Sequence, residues 1–366
     1  MRTETQASSA LNGVASPHAA SNEPVFEIQD LSVAYRTKTG DVRAVHHVDL
    51  NIGQGEVVGL AGESGSGKST LAYGACRLLR PPAIITSGSV RYRGRRNNYQ
   101  AQDLLEMDRD QLQALRWREI SIVFQSAMNA LNPVLRIQDQ LADAMDVHLT
   151  ISKDEKLDKV YRVLDLVGIP RDRLRSYPHE LSGGMRQRIM IAMALTVDPE
   201  LVIMDEPTTA LDVVVQREIL SQIIELKDRL GFSVLFITHD LSLMMELTDR
   251  LAIMYAGQLM EFGATSSLHR TSAHPYTKGL LNSFPSLRGP KRALAGIPGN
   301  TPDLRDLPPG CPFAPRCPEA RATCTEVDMA LRPVATRDGS TVTHLTACPF
   351  SAQGPERTEP KSEVIL

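Results

Sequence analysis

Gly62-Glu63-Ser64-Gly65-Ser66-Gly67-Lys68-Ser69 is the stretch on which the fold turns. It fits G-x-x-x-x-G-K-[ST] and lies between a short apolar run at residues 56–61 and a helically spaced run at 69–79 that stops before Pro81-Pro82. Glycines let the backbone curl until successive N–H groups face inward, and the start of a helix adds partial positive charge. Lys68 can then reach β and γ phosphates, while Ser69 offers a hydroxyl to Mg²⁺. A cradle for a nucleoside triphosphate is the expectation.

Working outward, residues 201–204 are an apolar strand that ends in Asp205 and Glu206. An open parallel sheet binds its ligand at the carboxyl ends of its strands, so Asp205 is placed to hold the Mg²⁺ shell and Glu206 to orient or deprotonate water. A helical run at 213–230 leads to a second apolar strand at 234–237. Strand, helix, strand in that order predicts a parallel sheet with right-handed crossovers. Residues 25–60 hold two strand-like stretches around a turn at 36–41, which predicts an antiparallel edge. Residues 100–119 and 152–196 read as predominantly helical. After Gly263 prolines recur at 275, 285, 290, 298, 302, 308 and 309, which puts a domain boundary near residue 264.

The 366 residues exceed the usual one domain, so one large domain with an appendage is expected. Forty basic against 43 acidic residues leave a net charge of −3, which gives no global grip on nucleic acid or on an anionic membrane. No apolar run approaches the roughly 18 residues that span a bilayer. Residues 1–24 read as a disordered leader rather than a secretion signal, and 351–366 as a flexible tail.

Between the two phosphate motifs stands Leu181-Ser182-Gly183-Gly184-Met185-Arg186-Gln187-Arg188, which resembles the signature of the ATP-binding-cassette (ABC) ATPases. Gln125 after Ile122-Val123-Phe124 is similar to their Q-loop, Ala210-Leu211-Asp212 to their D-loop, and His239 to their switch histidine. Met185 departs from the glutamine commonest in that signature, but serine and backbone do the phosphate work. The resemblance implies an α/β fold. Residues 25–264 would form an ABC-type phosphate-loop nucleotide-binding domain with an antiparallel β edge and a helical signature subdomain at about 126–196. A small Cys-rich extension would occupy 265–350.

The resemblance also implies roles. ATP would be bound by Tyr35, stacked on adenine, and by Gly62, Ser64, Gly65, Ser66, Gly67, Lys68, Ser69 and Thr70. Ser182, Gly183 and Gly184 would close over ATP held by another cassette. Glu206, His239 and Gln125 would be catalytic, His239 touching the γ phosphate and Gln125 sensing both Mg²⁺ and a membrane subunit. Ser69, Gln125 and Asp205 would serve Mg²⁺. The signature has its own physical rationale, since Ser182 to Gly184 precede a helical run and can present a hydroxyl and N–H groups to an anion.

Asn129-Ala130-Leu131-Asn132-Pro133, His274-Pro275-Tyr276-Thr277 and Cys311-Pro312-Phe313-Ala314-Pro315-Arg316-Cys317 further resemble the ATPase subunits of dipeptide, oligopeptide and nickel importers. The expectation is an ATP-hydrolysing, energy-coupling subunit of a di- or oligopeptide importer. It would lie on the cytoplasmic face of the cell membrane with two transmembrane permease subunits, an extracytoplasmic solute-binding protein and a paralogous second ATPase, a homodimer being the alternative; nucleic acid is not an expected partner. A nickel or other small-solute importer is a second reading, and a soluble ABC ATPase acting on DNA or ribosomes is a third.

Cys311, Cys317, Cys324 and Cys348 are spaced C-x5-C-x6-C-x23-C. Four thiolates suit tetrahedral zinc or an iron–sulfur cluster, and the usual zinc spacing of two to four residues is absent. Prolines after three of these cysteines, together with the resemblance, make a [4Fe-4S] cluster the expectation and zinc the alternative. Cys76 reads as a small core hydrophobe.

Overall fold

The computed structural model describes residues 23–125, 130–208, 212–283, 296–334 and 344–351. The predicted leader up to residue 22, Asn129 of the stretch after Gln125, Ala210 and Leu211 of the D-loop and the tail from 352 lie outside the described residues.

Strands β1 (Phe26–Thr37) and β2 (Gly40–Ile52) pair antiparallel across a tight turn, with Phe26 opposite Ile52 and Thr37 opposite Gly40. β3 (Val57–Ala61) follows, then the phosphate loop and helix α1 (Lys68–Ala75). β4 (Ala83–Tyr92) and β5 (Gln102–Asp103) complete an antiparallel sheet in the order β2-β1-β4-β5. Next come α2 (Arg109–Leu115), β6 (Ile120–Val123), α3 (Ile137–Asp146), α4 (Lys153–Leu166), α5 (Gly183–Leu195), β7 (Leu201–Asp205), α6 (Val213–Leu230), β8 (Ser233–Ile237), α7 (Leu241–Leu247), β9 (Arg250–Tyr255) and β10 (Gln258–Ala264). α8 (Thr265–Thr271), α9 (Pro275–Asn282), β11 (Arg332–Pro333) and β12 (Leu345–Thr346) end the series.

The second sheet runs β11-β12-β10-β9-β3-β8-β7-β6, and its β6, β7, β8, β3 and β9 are mutually parallel. Every residue of β3, β6, β7 and β8 is buried, as short continuous apolar runs require when both faces of a parallel sheet are covered. Successive residues serve opposite faces. Val58, Leu60, Ile203, Leu235 and Ile237 join Leu71 and Ala72 of α1 and the apolar side of the antiparallel sheet in one core. Val57, Ala61, Val202, Met204, Val234 and Phe236 join helices α3 to α7 in the other. The phosphate-loop strand is thus clamped on both sides.

The helical expectations need trimming. Of residues 100–119 only α2 is helical, started by a capping box between Asp108 and Gln111. Residues 152–196 contain two α-helices, α4, opened by the Ser152–Glu155 capping box, and α5, joined by two short 3₁₀ turns, Arg171–Arg175 after Pro170 and Pro178–Glu180.

Residues beyond 264 pack onto the same sheet. β12 pairs with β10, setting Thr346 opposite Glu261. The buried Glu261 carboxylate accepts from the Ala273 and His274 N–H groups and meets His344 Nε2 at 2.6 Å. Phe313 buries its ring against Tyr255 and Tyr276, inside the core of the helical face. His274 caps α9 by accepting from the Tyr276 N–H, and Pro275 occupies the first turn, where its missing donor costs nothing.

Candidate active site

β3 delivers the chain into the loop, where Gly62 and Gly67 have φ of 152° and 100°. A Cβ on Gly62 would stand 2.1 Å from the Met254 carbonyl oxygen, and one on Gly67 would stand 2.2 Å from that of Ala44. The loop is wedged between the backbones of β2 and β9, and only glycine fits at those two points. α1 begins with Gly67 at its N-cap and no side chain capping it. Its first N–H groups therefore offer themselves to an anion.

Lys68 is buried, and its ammonium donates to the carbonyls of Gly62 and Glu63, both at 2.9 Å. Burial lowers its pKa, while Glu206, Asp205 and Glu63 work in the opposite direction. Ser69 and Thr70 occupy the first turn of α1, and Thr70 Oγ1 lies 3.2 Å from the Tyr35 hydroxyl on β1. Ser64, Gly65 and Ser66 line a cavity of about 340 Å³ whose far wall is Thr301 to Leu304.

Asp205 ends β7, 1% exposed. Its Oδ2 accepts from the Tyr73 hydroxyl at 2.6 Å, whereas its buried Oδ1 has no hydrogen-bond partner among the described residues. Burial first, and then Asp205 itself, push the Tyr73 hydroxyl well above its ordinary pKa, so it stays a donor. An anionic oxygen buried without a partner is costly unless a cation meets it. A carboxylate oxygen together with phosphate oxygens is what Mg²⁺ takes. The residues fit that ion.

Glu206 follows with φ of 46°, its N–H donating to the Ile237 carbonyl at 2.8 Å. Its carboxylate accepts from Gln125 Nε2 at 2.9 Å and lies 3.4 Å from His239 Nδ1. Gln125, Glu206 and His239 thus come from the ends of β6, β7 and β8, adjacent parallel strands.

Ser182 lies elsewhere. It is the N-cap of α5, its hydroxyl accepting from the Met185 N–H at 3.3 Å, with Gly183 and Gly184 as the first helical residues. α5 packs against α3, α4, α6 and β6. Three residues escaped sequence reasoning: Tyr73, four positions after Ser69 and so on the same helix face; Tyr276, whose hydroxyl accepts from the Glu63 N–H at 3.0 Å; and Arg316, whose guanidinium grips the Glu63 carboxylate. The last two stand in the His-Pro-Tyr-Thr and Cys-Pro-Phe-Ala-Pro-Arg-Cys stretches, but spacing alone names no partner for them.

The cluster expected at Cys311, Cys317, Cys324 and Cys348 is overturned. These side chains do line one small cavity of about 50 Å³, together with His274 and Phe313. All four are free, however, and among the described residues no group of three or more His, Cys, Asp or Glu is arranged to hold a metal ion. Burial pushes the Cys311 thiol up to about 11 and raises that of Cys317. The arrangement of the described residues gives no support to the zinc alternative either.

The family described as "ABC transporter" matches residues 45–209, and that described as "Oligopeptide/dipeptide transporter, C-terminal region" matches 260–324. A putative peptide import ATP-binding protein of Brucella ovis is 44% identical over 87% of this chain and 97% of its own length. The oligopeptide transport ATP-binding protein OppD of Salmonella typhimurium is 43% identical over 82% and 88%, and the dipeptide transport ATP-binding protein DppD of Bacillus subtilis is 42% identical over 83% and 90%. Among solved structures, a dimeric ATP-binding cassette in a post-hydrolysis state bound to ADP and Pi superposes with a TM-score of 0.57 at 27% identity, covering 66% of this chain and 98% of that one.

Proposed function

This chain belongs to the ATP-binding subunits of ABC transporters that carry the oligopeptide/dipeptide transporter C-terminal region, and on that premise we propose that it hydrolyses ATP to drive import of short peptides. The relatives named for oligopeptides and dipeptides favour peptides over nickel, and over a role on DNA or ribosomes.

The observation that carries the catalytic reading is the meeting of Gln125 and His239 on Glu206, next to the unpaired buried oxygen of Asp205. Lys68 and the uncapped start of α1 bind the phosphates, and Tyr35 with Thr70 borders the nucleotide. Asp205 and Ser69, with Gln125 nearby, would hold Mg²⁺, which supplies positive charge against the phosphate oxygens when bound. Glu206 accepts the proton of the attacking water, Gln125 orients the carboxylate, and His239 stands ready for the γ phosphate. The α5 N-terminus at Ser182 to Gly184 supports a second anion site, reserved for ATP held by another cassette. ATP binding then closes a dimer and hydrolysis reopens it, driving partner membrane subunits between two states.

The partners are two permease subunits, an extracytoplasmic solute-binding protein and a second ATPase, paralogous or identical. The chain sits peripherally on the cytoplasmic membrane face; among the described residues no helix is long and apolar enough to cross a membrane. Residues 25–264 act as the nucleotide-binding domain, with a signature subdomain at about 126–196, and 265–350 as its accessory extension. In the assembled transporter Glu206→Gln keeps ATP binding and lowers hydrolysis by on the order of a hundredfold or more. Near-normal turnover by that variant removes Glu206 from the role.

A further inference from the structure

We propose that Arg316 is a positioning residue for the phosphate loop, through which the C-terminal extension sets the affinity for ATP. The proposal rests on the loop being the ATP site. Arg316 closes a short turn at Ala314–Arg316, between two of the cysteines, and its side chain is only 7% exposed. All three guanidinium nitrogens are committed. Nη1 donates to Glu63 Oε2 at 2.7 Å and to the Tyr255 hydroxyl at 3.1 Å, Nη2 donates to Glu63 Oε1 at 3.0 Å, and Nε donates to the Pro298 carbonyl at 2.8 Å. This is a two-pronged, largely dehydrated contact, unlike an exposed ion pair whose worth solvent cancels.

Glu63 is the second residue of the loop, and the extension holds it twice. Its carboxylate is in the fork of Arg316, and its N–H donates to the buried Tyr276 hydroxyl at 3.0 Å. From the loop side its carbonyl accepts from the Lys68 ammonium at 2.9 Å and from the Ser66 N–H at 3.2 Å. Where Glu63 sits therefore decides where the Lys68 ammonium sits. Charge acts in the same direction. An acid inside a phosphate cradle repels the ligand unless a cation answers it, and among the described residues Arg316 is the only cation paired with Glu63.

Both effects fall on ATP binding rather than on the water that attacks. Equilibrium ATP titration of the full-length chain tests this. Arg316→Gln should weaken ATP on the order of tenfold, which is about 1.4 kcal/mol and the size of one charged hydrogen bond. In the transporter the loss should appear in KM, with kcat at saturating ATP little changed. Combining Arg316→Gln with Glu63→Gln should restore most of the affinity, because the uncompensated acid is gone; a merely structural role gives no such rescue. A folded Arg316→Gln protein with unchanged ATP affinity, or a double variant as weak as the single, overturns the proposal. If glutamine is not tolerated, Arg316→Lys keeps the charge but not the fork. Faster amide hydrogen exchange across residues 62–68 is then expected, and unchanged exchange overturns it. Lys68→Ala serves as the control for the ATP site: undiminished ATP binding there refutes the site and not the relay.

Discussion

At the strand ends Gln125 and His239 close on Glu206 beside an unpaired oxygen of Asp205, whereas around the C-terminal cavity Cys311, Cys317, Cys324 and Cys348 share a wall and remain separate thiols. As sequence, both regions crowd reactive side chains. The difference is in what holds them. The first set hangs from adjacent, fully buried parallel strands whose register fixes the spacing of their ends. The second hangs from turns among prolines, stapled to the cassette by Phe313, β12 and the Glu261–His344 pair. Reactive residue types become a site when the backbone beneath them is dictated, and in the cysteine region it is dictated by packing rather than by chemistry.

The comparison breaks or sharpens under three changes. The largest effect is expected at the strand ends. Lys68→Ala should weaken ATP by on the order of a hundredfold, the loss of a charged donor to phosphate, and cost less stability than emptying a core ring site does. Isothermal titration paired with urea denaturation checks both halves, and a large stability loss would mean that the ammonium is structural.

The converse is expected of Phe313→Ala. Emptying a fully buried ring site should cost about 3–5 kcal/mol, read as a lower urea midpoint. If the midpoint hardly moves, the extension is not stapled through that ring.

A smaller effect is expected with acid. Burial holds His274 neutral and pushes its pKa down to about 4 from 6.5, against the raising influence of Glu261. The unfolded chain then takes up the proton first as pH falls, so stability present above pH 6.5 is lost progressively down to about pH 4, by up to about 3 kcal/mol. His274→Asn, which can still cap α9, should flatten that slope in denaturation curves between pH 7 and 4. An unaltered slope would assign the acid sensitivity to other groups.

Much of this was legible beforehand because it is local. Eight contiguous residues announce the phosphate loop, since the glycine spacing and the start of α1 are written in one short stretch, although the backbones of β2 and β9 that wedge it are distant in the chain. The apolar runs of β3, β7 and β8 announce buried parallel strands by themselves, and Asp205 and Glu206 inherit their place from the strand they end. Helix extents around 100–119 and 152–196 were less legible, because apolar spacing continues through turns that Pro170, Pro178 and the Asp108 cap impose.

What only the tertiary structure decided is every pairing between residues far apart in the chain. Tyr73 on Asp205, Tyr276 and Arg316 on Glu63, and Gln125 on Glu206 are separated by 132, 213, 253 and 81 positions. No spacing rule reaches that far. The four cysteines share this dependence: their intervals allowed a cluster, but the packing of Phe313 and of β12 on β10 sets where they stand, and there they are free cysteines, Cys324 buried and the other three half-buried. A local motif carries its own backbone geometry, whereas a constellation assembled across the chain takes its geometry from the core on which it rests.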